Sequence, residues 1–299
     1  MTPLRNATRL VGKWVQLNRD AFVTYRERRG YVDRDPKSWG QFRNKVFTEQ
    51  SPIFVLSTGR CGTKLLTQLL EKVPATACFH APQPELLSYE KLAYEQGESN
   101  FEAFKLLISA CRFELMADCF VRGRRYIETN QRITFFAPHL YELFPQARFI
   151  HLVRNPYSFV RTGAALNYYE GQYADLGRIT PIEGPAAIQW PHMSIYQRCA
   201  WLWNETNEFI ERFKAKCDPS RVLTVLAEDL FDNPETTLTI LRHCGLSELP
   251  ISTISKCLKR KVNSNPHKGK LNRVDQDDQK WKDAIQPWSL NASRYHYAM

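Results

Sequence analysis

The chain has 299 residues, a net charge of +10 and 43% hydrophobic residues, enough apolar material for one large α/β domain or two small ones. No apolar run approaches the roughly 20 residues of a membrane-spanning helix. Residues 1–13 lack the apolar segment of a signal peptide, so we expect a cytoplasmic protein. The eight cysteines form no Cys-x-x-Cys pair, which favours reduced thiols over metal ligands or disulfides.

The positive charge is concentrated in two segments. Residues 1–50 carry eleven Lys or Arg and five acidic residues, and residues 255–275 carry seven and one. Such segments attract polyanions, but they also occur as plain solvated surface. We expect no nucleic-acid partner, because no module for reading bases is visible.

The N-terminal part is predicted to be separate from the main domain. Residues 8–29 carry an apolar stripe at helical spacing and indicate an amphipathic helix. It could pack on its own domain, form a dimer contact, or touch a membrane peripherally. Residues 31–50 are polar and are expected to form an irregular connection. We therefore divide the chain into residues 1–50 and a single α/β domain over residues 51–299.

A buried strand, a tight loop and a helix are predicted in direct succession in residues 52–70. Residues 53–56 form a short apolar run, and leucines at helical spacing begin at Leu65. The loop between them places free backbone N–H groups, hydroxyls and cations at a helix N-terminus, which suits a phosphate or a sulfate. It contains Arg60, Cys61, Gly62, Thr63 and Lys64.

This loop is not a standard P-loop. That pattern requires Gly-Lys-Ser/Thr after a first Gly and four spacers. Counting from Gly59, the position of the second Gly holds Lys64 and the next holds Leu65. No hydroxyl is therefore placed to hold Mg²⁺.

Two further strands are predicted to end beside the same crevice, because ligands of open α/β sheets bind at the carboxyl ends of the strands. Residues 75–79 lead to His80, and residues 149–153 lead to Arg154. His80 is a candidate general base, since an unperturbed imidazole has a pKa of about 6.5. Glu85 is a second candidate for that role.

The remaining chain alternates between helix and strand. The Gly- and Pro-rich segment 169–189 is expected to be a lid or binding loop. The whole order predicts an α/β fold, a three-layer sandwich with a central, mainly parallel sheet of about four to five strands flanked by helices, similar to P-loop NTPases. Further helices are predicted over residues 86–94, 101–120, 136–144, 193–217 and 234–244 and after Pro156, with strands over 125–129 and 223–226.

The loop core Arg60-Cys61-Gly62-Thr63 resembles the 5′-phosphosulfate loop of sulfotransferases that use 3′-phosphoadenylyl sulfate (PAPS). Those proteins bind the 3′-phosphate with an Arg in an Arg-Asn/Asp-Pro context and a Ser eight residues later. Here Arg154-Asn155-Pro156 and Thr162 occupy these positions. Segments 125–130 and 221–235 are also similar to that family, so the resemblance covers roughly residues 50–245 in order.

The resemblance implies transfer of a sulfuryl group from PAPS to a hydroxyl of a carbohydrate, lipid or small molecule, without metal. Arg60 would stabilise the leaving oxygen, and His80 would accept the acceptor's proton. Lys64 departs from the common second Thr of the loop, and Lys268 lies in a loose match to the basic segment that closes on the 3′-phosphate. The residues implied for donor binding are Arg60, Cys61, Gly62, Thr63, Lys64, Leu65, Arg154, Thr162 and Lys268.

Alternatives remain open at the level of sequence. A nucleotide-dependent kinase with a degenerate P-loop would require ATP and Mg²⁺, and the absence of Gly-Lys-Ser/Thr counts against it. A protein of the same fold that binds without catalysis is a second alternative. The choice between His80 and Glu85, the acceptor and the oligomeric state are not fixed by any motif.

Overall fold

The computed structural model describes residues 39–259 and 278–297. The chain divides into two compact units, residues 1–45 and 46–299. The predicted helix over residues 8–29 and the predicted donor contact Lys268 lie outside the described residues. Helix α1 spans Trp39–Glu49, so the expectation of irregular structure there was wrong. Its apolar residues Trp39, Phe42, Val46 and Phe47 recur at helical spacing, and Phe47 packs against Phe144 with 5.3 Å between the ring centroids.

A five-stranded sheet forms the centre of the second unit, with the order β2-β3-β1-β4-β5. All four neighbouring pairs are parallel, as a chain that alternates strands with helical crossovers requires. The predicted α/β fold with a parallel sheet is therefore confirmed. The strands are β1 (Ile53–Leu56), β2 (Thr76–Phe79), β3 (Arg125–Glu128), β4 (Arg148–Val153) and β5 (Val222–Leu226).

Helices connect and flank these strands. Most begin and end within a few residues of the predicted limits, whereas segment 169–189 contains short helical turns where a loop was expected. In the described part of the chain, no helix is long and apolar enough to cross a membrane. The α-helices are α2 (Thr63–Leu70), α3 (Leu87–Gln96), α4 (Phe101–Val121), α5 (Ala137–Leu143), α6 (Pro156–Ala165), α7 (Gly184–Gln189), α8 (Ile195–Lys214), α9 (Ala227–Asp232), α10 (Pro234–His243), α11 (Ile251–Leu258) and α12 (Asp278–Ile285).

Both faces of the sheet are covered, which explains the continuous apolar run in β1. Successive strand residues point to opposite faces. Ile53 and Val55 pack in a cluster with aliphatic residues of α2, α10 and α11. Phe54 lies on the other face, with its ring 5.7 Å from Phe149 and 6.2 Å from Tyr126. This packing leaves the carboxyl ends of the strands as the place for a ligand site.

Candidate active site

The loop between β1 and α2 turns sharply through left-handed backbone conformations. Gly59, Arg60 and Gly62 have φ angles of 76°, 58° and 90°. At Gly62 a Cβ would clash with the ring of Phe231, so a side chain does not fit there. Gly62 is also the N-terminal cap of α2, and the first backbone N–H groups of a helix have no intrahelical partner. The loop thus presents these donors to a ligand.

Hydrogen bonds hold this loop in place. The backbone N–H of Ser57 donates to Oγ1 of Thr134 over 3.1 Å, and that hydroxyl donates back to the Ser57 carbonyl. The Cys61 thiol donates to the Gly59 carbonyl at 3.0 Å. Burial raises the pKa of Cys61 to about 11, so the thiol is neutral and structural. The Leu65 side chain packs in the core, and only backbone groups of these two residues can serve a ligand.

Arg154 meets the loop from the end of β4. Its Nη1 donates to the Arg60 carbonyl at 2.7 Å, and its own carbonyl accepts from Nε1 of Trp203 at 2.8 Å. Burial lowers the pKa of Arg154. Among the residues that the structure describes, its buried Nε finds no hydrogen-bond partner, although buried donors are paired in most proteins. A cation with a free donor is therefore held beside the loop.

His80 follows β2 and lies across the cleft from this arginine's strand. Its Nδ1 lies 3.0 Å from Oγ1 of Thr129. Burial, and then the nearby Lys64 charge, lowers the pKa of His80, so the imidazole is neutral near pH 7. Glu85 instead pairs with Arg132, with 2.7 Å between its Oε1 and Nη1 of the arginine.

A cleft of about 320 Å³ brings the loop, Lys64, His80 and Arg154 together. Glu85 and Thr162 do not line it. Thr162 lies in the second turn of α6, where its hydroxyl donates to the Ser158 carbonyl at 2.8 Å. Because α6 begins directly at Pro156, Thr162 is about 9 Å along the helix axis from its start. Within the described residues, no group of three or more His, Cys, Asp or Glu could hold a metal ion.

The far wall of the cleft contains titratable residues that sequence reasoning missed, namely Glu90, Arg132 and Arg178. Burial raises the pKa of Glu90 to about 8, although Arg132 and Arg178 oppose the shift. A Cβ at Gly177 would lie 2.6 Å from Glu90 Oε1, so this glycine lets the 169–189 segment approach the carboxyl. Arg132 follows shortly after the carboxyl end of β3, and this position in the sequence could have marked it as a site residue. Glu90 lies within a helix, and nothing in its sequence position marks it as a site residue.

Comparisons with known proteins identify the family and support the fold. The model of the sulfotransferase family matches residues 52–250. The fold is similar to the sulfotransferase domain of the olefin synthase of Synechococcus PCC 7002, with 18% identity, a TM-score of 0.51, and coverage of 84% of this chain and 97% of that domain. A sulfotransferase domain from the curacin biosynthetic pathway gives the same identity and TM-score over 84% of this chain and 99% of that domain. A comparison with curated protein sequences finds no match. The match with the family model covers about two thirds of this chain, and the chain therefore belongs to the sulfotransferase family.

Proposed function

We propose that the protein transfers a sulfuryl group from PAPS to a hydroxyl group of an acceptor, with His80 as the general base. The observation that carries this proposal is the cleft at the carboxyl ends of three parallel strands. It brings together the loop after β1, the Arg154 guanidinium and the neutral imidazole of His80. Among the described residues, the buried Nε of Arg154 has no hydrogen-bond partner. Family membership supports the reaction class, and the donor and the base are part of the proposal.

The loop and Arg154 fit a donor that carries two anionic groups. The N–H groups at the start of α2, with Arg60 and Lys64, would bind the 5′-phosphosulfate. Arg154, whose Nε has no hydrogen-bond partner in the described part of the chain, would bind the 3′-phosphate. Thr162 is assigned to the same phosphate on the family resemblance, and Lys268 likewise remains a prediction.

Catalysis would rest on positioning and charge stabilisation. PAPS supplies the sulfuryl group, and adenosine 3′,5′-bisphosphate is the product. His80 would take the proton of the acceptor hydroxyl as its oxygen bonds to sulfur. Arg60 and the loop N–H groups would stabilise the negative charge that develops on the departing phosphate oxygen. Glu85 forms an ion pair with Arg132 and does not line the cleft, which supports His80 as the base.

The acceptor would enter along the wall formed by Glu90, Arg132 and Arg178. That wall is charged and hydrogen-bonding, which favours a polar hydroxyl acceptor such as a sugar or a small alcohol. A cytoplasmic location is part of the proposal, and the eight cysteines, all within the described ranges and all unpaired, are consistent with it.

Calorimetric binding of adenosine 3′,5′-bisphosphate in metal-free buffer tests the donor site. We expect wild type to bind and Arg154→Ala to bind about tenfold or more weakly, because a hydrogen bond to a charged group contributes about 1.5–3 kcal/mol. Arg242→Ala is the matched control. Arg242 is exposed and does not line the cleft, and its Nε lies 2.7 Å from Oε1 of Glu248.

The outcomes separate the proposed donor from its rival. Equal binding by wild type and Arg154→Ala would remove Arg154 from the site. Absence of binding by wild type, with binding of ATP and Mg²⁺ instead, would favour the kinase. Dependence of nucleotide binding on added metal would contradict the expectation that no metal is needed.

A further inference from the structure

Two threonine hydroxyls connect His80 to helix α2. Nδ1 of His80 lies 3.0 Å from Oγ1 of Thr129. That hydroxyl lies 2.7 Å from Oγ1 of Thr67, which lies 2.8 Å from the carbonyl oxygen of Thr63. Both threonine side chains are buried. The chain of hydrogen bonds therefore runs through buried side chains, from the cleft to the first turn of α2.

The far end of this chain fixes its direction. A carbonyl oxygen can only accept a hydrogen bond, so the Thr67 hydroxyl donates to the Thr63 carbonyl. Each hydroxyl has one hydrogen, so Thr67 can only accept from Thr129. Thr129 then has no hydrogen left for the imidazole, and Nδ1 of His80 must donate to it.

We propose that Thr129 and Thr67 are positioning residues that hold neutral His80 as its Nδ1–H tautomer, which leaves Nε2 unprotonated and ready to accept a proton. Among the residues that the structure describes, none makes a hydrogen bond to Nε2, and His80 lines the cleft. When Nε2 takes the proton, Nδ1–H continues to donate to Thr129, so this chain of hydrogen bonds need not rearrange.

The fold places these groups together through strand register. Phe79 of β2 pairs with Glu128 of β3, and the Thr129 N–H donates to the Phe79 carbonyl at 2.9 Å. His80 and Thr129 are therefore the next residues of two aligned strands. The hydrogen-bond partner of the His80 Nδ1 is a hydroxyl, whereas many histidine bases have a carboxylate in this position. A neutral partner adds no negative charge that would favour the imidazolium.

Nitrogen NMR of ¹⁵N-histidine-labelled protein at neutral pH tests the tautomer directly, with His80→Gln to assign the signal. We expect wild type to show protonated Nδ1 and unprotonated Nε2. Thr129→Val keeps the shape without the hydroxyl and should shift His80 toward the Nε2–H form, and Thr129→Ser should restore the wild-type pattern. Protonated Nε2 in wild type, or an unchanged pattern in Thr129→Val, would overturn the proposal.

Kinetics test the consequence, which rests on the proposed reaction. We expect Thr129→Val to lower kcat about tenfold to a hundredfold with an unchanged KM for the donor, and Thr129→Ser to recover it. Thr76→Val is the matched control, because the Thr76 hydroxyl donates to the carbonyls of Leu70 and Val73, at 2.9 Å each, and is not part of the hydrogen-bond chain from His80. A normal kcat in Thr129→Val would show that the hydrogen bond from His80 to Thr129 does not position a base. The NMR readout needs no substrate, so failure of the proposed reaction would be seen separately.

Discussion

Arg60 combines an exposed side chain with a backbone conformation that ordinary residues avoid. Its φ of 58° is left-handed, which costs a residue with a Cβ roughly 1–2 kcal/mol. Its carbonyl accepts the hydrogen bond from Arg154, and its side chain lines the cleft. The residue therefore serves the loop through its backbone, and in the proposed reaction its guanidinium would stabilise the leaving group.

Substitution of Arg60 by glycine separates these two contributions. We expect Arg60→Gly to keep the left-handed loop and the Arg154 hydrogen bond, and to unfold at a temperature no lower than wild type. Its turnover should fall about a hundredfold, since loss of one charge-stabilising donor raises the barrier by about 3 kcal/mol. Sulfuryl-transfer assays and a thermal melt provide the two readouts. Near-normal turnover in a folded variant would remove Arg60 from the catalytic site.

At the scale of elements, a buried ion pair joins α4 to the end of β3. Arg112 donates to both carboxylate oxygens of Glu128, at 2.8 and 2.9 Å, and Tyr126 donates to the same carboxylate at 2.7 Å. Arg112 also donates to the Pro84 carbonyl at 3.0 Å. The pair therefore links the sheet to the segment that follows His80.

Removal of one partner should be far more damaging than removal of both charges. We expect Arg112→Met to lower the free energy of unfolding by about 3–5 kcal/mol, because an unpaired carboxylate is left buried. Adding Glu128→Gln should recover part of that loss, since the amide still accepts from Tyr126. Urea unfolding measures both variants. The exposed Arg242→Met should change stability by about 0.5 kcal/mol or less.

A double variant that is no more stable than Arg112→Met alone would contradict this account. The cost would then come from lost packing of the Arg112 side chain and not from an uncompensated charge. The double-mutant comparison is needed because neighbouring substitutions are not additive.

At the scale of the whole molecule, the described C-terminal segment docks on α8 through side-chain hydrogen bonds. Tyr295 donates to Glu211 at 2.9 Å, and the backbone N–H of Asn291 donates to Oδ1 of Asn204 at 2.9 Å. Tyr297 donates to Glu228 at 2.7 Å. Glu228 also accepts the Asn155 N–H at 3.1 Å, so this segment is connected to the turn that follows Arg154.

Glu211 makes this docking sensitive to acid. Burial alone would raise its pKa, but contacts with His151, Lys214 and Tyr295 outweigh it and hold the pKa at about 2. A carboxyl with a depressed pKa stabilises the folded state fully above its unfolded value of about 4.3. That contribution is lost as the pH falls from there toward about 2.

We therefore expect Glu211→Gln to be less stable than wild type at pH 7, and this difference should shrink below about pH 4 and be lost only at about pH 2 and below. Urea unfolding across this pH range measures the convergence. Glu248→Gln, at the exposed pair with Arg242, is the control and should follow wild type throughout. A stability difference that stays constant with pH would show that Glu211 acts through packing and not through its charge.

Local patterns in the sequence determined the elements and the chemistry of the loop. The apolar run over β1, the glycines and cations after it, and the arginine that ends β4 are consecutive residues whose conformation follows from their own side chains. The same patterns predicted the parallel α/β fold, because strands alternated with helices of sufficient length. The prediction failed at Trp39–Glu49, where the polar majority of the segment favoured an irregular connection although Trp39, Phe42, Val46 and Phe47 recur at helical spacing.

The tertiary structure alone decided which distant residues share the site. The pairing of Phe79 with Glu128 sets His80 beside Thr129, and no spacing along the chain encodes that register. Packing of the 169–189 segment placed Arg178 near Glu90, and burial then raised the pKa of that carboxyl. Contacts between residues far apart in sequence depend on how whole elements pack, so they and the electrostatics they create appear only when the chain is folded.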